Sequence, residues 1–130
     1  MRRLIPFLTA LALVLPAPAT SQAVGACPFA AGSLRAAYKE MLTVSSTALP
    51  FTASVWKPTN GNPPAVCAFV VVNTNSVSWW ADGSTPTAAS GIISTAAQSF
   101  SVGQSNMTTF KMIRVSSDAE VAIQYLTAIN

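Results

Sequence analysis

From residue 41 onward the chain alternates short apolar runs with turn-forming residues. Residues 41–46 (MLTVSS) place Leu42 and Val44 on one face. Residues 48–55 (ALPFTASV) read as a second β segment, which Pro50 confines to an edge or a bulge. Residues 57–65 (KPTNGNPPA) hold three prolines and the turn pair Asn60-Gly61, the composition of a loop. Residues 66–72 (VCAFVVV) are β-branched and apolar without a break, which predicts a central strand buried on both faces. Asn73-Thr74-Asn75 turns the chain into residues 76–81 (SVSWWA), where Val77 and Trp79 share one face and Trp80 takes the other. Residues 82–90 form a long connection to a short strand at Gly91-Ile92-Ile93. Further strands are predicted over 97–102, 109–115 and 119–126, with turns at 104–108 and 116–118. Residues 33–40 (SLRAAYKE) predict the one short helix: Ser33 caps it, and Leu34, Ala37 and Tyr38 share a face. The same residues equally extend the following strand. Seven or eight strands at a spacing of roughly 8–12 residues predict an all-β fold, a single antiparallel β-sandwich or jelly-roll-like domain with an N-terminal apolar segment.

That N-terminal segment follows a different rule. Arg2-Arg3 precede an uncharged run, LIPFLTALALVL, and then small residues ending in Ser21-Gln22-Ala23. The order is that of a secretory signal. The apolar run is shorter than the roughly 20 residues a membrane-spanning helix needs, and no later stretch reads as a span. The expected organisation is 1–23 as a signal-peptide-like leader or apolar arm, 24–40 as a connecting segment with a short helix, and 41–130 as the β-sandwich. The leader also changes the charge argument. The chain carries seven basic and four acidic residues, a net charge of +3, and two of the basic residues are Arg2 and Arg3. The five remaining cations are scattered, so they form no stripe that tracks phosphates, and nucleic acid is excluded as the expected partner.

Candidate chemistry is sparse. The chain has no histidine, hence neither the commonest general base nor the commonest metal ligand. The four acids are Glu40, Asp82, Asp118 and Glu120. They show no calcium-loop spacing, and no pair is evidently set across a cleft as glycoside hydrolysis needs. No serine sits in a nucleophile elbow and no glycine-rich phosphate loop is present. The expectation is a protein that is not an enzyme, with no catalytic residue, no metal and no cofactor. Asp82, Gly83 and Pro86 read as structural turn residues. Cys27 and Cys67 either form a disulfide, worth about 3–4 kcal/mol by loop closure, or stand as free thiols, with Cys67 a small buried hydrophobe. Trp56, Lys57 and Trp80 are the candidate contacts, because an outward indole beside polar loops stacks on sugar rings or anchors a protein interface.

Beyond these local readings, residues 77–91 run V-x-W-x-x-D-G-S-T-P-T-A-A-S-G and are followed by Ser99-Phe100-Ser101-Val102, Phe110-Lys111-Met112-Ile113-Arg114-Val115 and Val121-x-Ile123-x-Tyr125. Upstream, residues 44–52 (VSSTALPFT) complete the series. This pattern resembles a group of small structural proteins of tailed phages, over about residues 41–126. The resemblance implies a β-sandwich used as a particle building block, a capsid decoration protein or a tail accessory subunit, and it carries no catalytic residues. Its implied partners are other copies of the chain and neighbouring virion proteins. The leader departs from that pattern, since phage particles assemble inside the cell. It marks either an exported protein of a phage-derived system or an uncleaved arm that docks on a neighbouring subunit. The alternative expectation is a secreted or periplasmic adhesin or carbohydrate-binding domain.

Overall fold

The computed structural model describes residues 22–24, 27 and 32–129. Ten elements follow in order: β1 (Gln22–Val24), β2 (Leu34–Val44), α1 (Ala53–Trp56), β3 (Cys67–Val72), β4 (Ser76–Trp80), β5 (Ile92–Thr95), β6 (Ser99–Gly103), α2 (Gln104–Met107), β7 (Lys111–Arg114) and β8 (Ala119–Ala128). The strands form two sheets, one of five in the order β1-β6-β3-β8-β2 and one of three in the order β5-β4-β7. All pairings are antiparallel except the short β1–β6 pair. The molecule is an all-β sandwich.

Period-two alternation builds the core. β8 buries Ala119, Val121, Ile123, Tyr125 and Thr127, while the residues between them face outward. β3 contributes Ala68, Val70 and Val72, β6 contributes Phe100 and Val102, and β4 contributes Val77 and Trp79. The two sheets meet where Trp79 of β4 stacks on Phe100 of β6 with centroids 4.4 Å apart, and Phe51 stacks on Phe110 at 4.2 Å beside them. The smaller sheet is two strands narrower. Phe51, Trp56 and Met107, which lie outside the strands, are buried and join the core there.

Several expectations change. Residues 33–40 are not a helix; residues 34–40 instead extend the following strand, the other reading the sequence left open. They belong to β2, whose inward set Tyr38, Leu42 and Val44 pairs against the alternating β8. A register shift between Ala36 and Tyr38 interrupts the alternation and leaves a local pattern that imitates a helical face. The sandwich therefore begins well before residue 41, and the segment 24–40 is not merely connecting. The boundary after residue 23 falls inside β1. The rest of the expected leader, residues 1–21, lies outside the described residues. Residues 48–55 are not a strand either: Leu49 makes a single bridge to Met112, and one helical turn then carries Trp56 into the core. β3 is central but not buried on both faces, because Phe69 points away from the core and is 43% exposed.

Candidate functional site

The stretch that bears the sequence motif is held by its own hydrogen bonds. Asp82 Oδ1 accepts the Ser84 N–H at 2.9 Å, and this contact, with the Ser84 hydroxyl, holds the carboxyl below its usual range. Gly83 follows at a φ of 93°, a turn conformation that glycine adopts without strain. Lys111 Nζ donates to Gly83 O at 3.3 Å and to Thr85 Oγ1 at 3.4 Å. Thr109 Oγ1 donates to Ala81 O at 2.7 Å. Pro86 is buried. Thr87 and Ser90 close the end of the loop: the Ser90 N–H donates to Thr87 Oγ1 at 3.0 Å, and the two hydroxyls are 2.8 Å apart. Ser78 Oγ then donates to Ser90 O at 3.1 Å and ties the loop back onto β4. Every polar side chain of this motif named here is used inside the molecule.

The candidate contact residues divide. Trp80 lies on the outward side of β4, half-buried, opposite Lys111 in the β4–β7 register. Trp56, by contrast, is only 5% exposed. The α1 turn directs it inward, so it is a core residue and not a contact. Lys57, next along the chain, is exposed. Trp56 and Trp80 thus do not share a surface. Cys27 and Cys67 form a disulfide, with Cα atoms 5.4 Å apart. Cys67 is on the outward side of β3, and the bond holds Cys27 over that side of the large sheet. Arg114 pairs with Asp118 across the β7–β8 turn. Among the described residues, no group of three or more His, Cys, Asp or Glu is placed to hold a metal ion.

Two features were not anticipated. Tyr125 is fully buried and its hydroxyl donates to Glu40 Oε1, which also accepts the Thr52 N–H at 3.2 Å. Burial, reinforced by the neighbouring Glu40 carboxylate, pushes the Tyr125 phenol well above the usual tyrosine value. The pair pins the residues before α1 to β2 and β8. The second feature is a shallow groove of about 500 Å³ on the outer face of the large sheet, lined by Met41, Phe69, Val71, Ala122 and neighbouring residues of β2, β3 and β8. Met41 is 60% exposed. The alternation of residues 41–46 already turns Met41 away from Leu42 and Val44, whereas the Glu40 contact requires residues 34–40 to be strand, which the register shift before Tyr38 obscures.

Comparison with family models, with curated proteins and with solved structures finds no match in any of the three.

Proposed function

We propose that this chain is a non-enzymatic structural subunit of a virion, of the capsid decoration or tail accessory kind. The observation that carries the reading is the placement of large apolar side chains on the outward faces of both sheets: Met41 and Phe69 on one, Ile93 on the other. A sandwich that has already filled its core gains nothing by exposing them, whereas a subunit that packs against neighbours does. The resemblance of about residues 41–126 to small phage structural proteins supports the same reading, and the internally bonded 82–91 motif suits a scaffold. The partners are other copies and neighbouring virion proteins. The test is mass spectrometry of purified particles and of particle-free fractions from the same culture. The chain should be recovered with the particles. Recovery only from particle-free medium or periplasm overturns the proposal.

A second reading has its own support. The Cys27–Cys67 disulfide belongs to oxidising compartments, and it follows a signal-like leader. Under that reading the chain is an exported binding domain that presents Trp80 beside Lys111 to carbohydrate. Glycan binding lost in Trp80→Ala with the fold intact would favour it.

A further inference from the structure

The large sheet ends in β2, and among the described residues no strand pairs with the other side of β2. Its free edge runs as far as Val44, beyond which the Ser45 carbonyl already accepts the Arg114 N–H of β7 at 3.0 Å, and the register shows which backbone groups the free part presents. The Asn73 N–H donates to Glu120 O at 2.8 Å, so the peptide groups of Glu120 face β3. Antiparallel geometry then turns the peptide groups of Thr43, the partner of Glu120 in β2, away from β8. Met41 and Lys39 follow at the same parity. Their N–H and C=O groups point out of the sheet edge, and no hydrogen bond within the described chain uses them. An open edge of this kind is a template for another strand.

The geometry points to a second copy of this chain as that strand, added antiparallel about a two-fold axis through Met41. Three features make the edge self-complementary. First, the axis places Met41 opposite the partner's Met41, and Lys39 opposite the partner's Thr43, so the outward peptide groups of all three residues find partners. Second, Met41, Ala122 and Val71 lie in one row across β2, β8 and β3. Pairing doubles this row into a continuous apolar stripe across the joint sheet. Third, Lys39 and Glu120 have no ion-pair partner within the described chain. Glu120 is the ladder neighbour of Thr43, so pairing brings Lys39 within two strand spacings of the partner's Glu120, roughly 10 Å between backbones, which the two side chains span. The alternative axis through Lys39 would set like charges face to face. This inference rests on the edge geometry and not on the particle reading.

Sedimentation of the native full chain tests it, alongside Met41→Pro, Lys39→Glu, Glu120→Lys and the double exchange. Met41→Pro removes an N–H that serves only the partner, at a position where an edge strand tolerates proline. The native chain should sediment as a dimer and Met41→Pro as a monomer with an unchanged circular dichroism spectrum. Lys39→Glu and Glu120→Lys should each weaken the dimer by about tenfold, and the double exchange should restore it. If Met41→Pro fails to fold, the charge exchange decides alone. A monomeric native chain overturns the inference, as does a dimer that both Met41→Pro and Lys39→Glu leave intact. Particles that contain the chain while it is monomeric in solution and unpaired in the particle would overturn this inference and leave the virion reading standing.

Discussion

Gly91 sits where no side chain fits. Its φ is 143°, and a Cβ there would collide with Ser78 Oγ and approach the backbone N and O of Trp79 to 3.2 Å. Ser78 and Trp79 belong to the central strand of the small sheet and are fully buried, so neither can give way. Gly91→Ala should cost about 3 kcal/mol, from backbone strain and overpacking together. Gly83→Ala meets only the Thr109 side chain at 3.9 Å and should cost about 1 kcal/mol, from its positive φ alone. Urea unfolding of the two variants checks the difference, and equal losses would refute it. Tyr125 makes a prediction in pH. Its phenol is raised above the free tyrosine value, so above that value the folded chain binds more protons than the unfolded one. Stability contributed by this group is therefore complete at neutral pH and declines once the pH passes about 10, the free tyrosine value. Tyr125→Phe should remove that part of the alkaline decline, read as the change in urea midpoint between about pH 7 and about pH 11. An identical alkaline slope in both proteins would contradict it. At this scale the sequence is readable where a residue answers to its immediate neighbours. Asp82 and Gly83 are such a case, and so is the split of Trp79 from Trp80 by strand parity. Trp56 is not, because its inward direction depends on a space left by a narrow sheet.

The elements show the same division. β8 and β4 are legible because their alternation is uninterrupted and one face is buried. β2 is legible only in part: residues 41–44 alternate in the sequence, whereas a register shift breaks the alternation before Tyr38 and only the distant β8 determines that residues 34–40 extend. The disulfide depends on a still larger distance. β1 lies at one edge of the large sheet and β2 at the other, and Cys27, between them in sequence, is bonded to the central β3. Two cysteines in a sequence say nothing of that arrangement. The bond closes a separation of 40 residues, and loop-closure entropy assigns it about 4 kcal/mol. Cys27→Ala with Cys67→Ala should lower stability by about that amount, measured by denaturant unfolding. It should also raise hydrogen exchange at the amides of β1, which pairs with only one neighbour, more than at those of β8. Equal exchange changes in the two strands would show that the bond does not anchor the edge.

For the whole molecule, the question is what covers the outer faces. The run from residue 66 to 72 has the composition of a strand buried on both sides, yet Phe69 on its outer face is 43% exposed, and a sequence does not say whether such a face is covered within the chain or by another molecule. Adjacent residues of β3 make the point testable. Val70 is fully buried and Phe69 is 43% exposed. Val70→Ala should cost about 2 kcal/mol, because it empties packed core volume. Phe69→Ser should change folding stability by less than about 1 kcal/mol, because much of the side chain already meets water. If the outer face is an assembly surface, the consequences reverse in the particle. Phe69→Ser, though folded, should be depleted from purified particles relative to the native chain expressed with it. Val70→Ala, once folded, should enter them in proportion to its folded fraction. Full incorporation of Phe69→Ser would remove this face from the assembly and leave Ile93, on the opposite sheet, as the exposed apolar residue to test next.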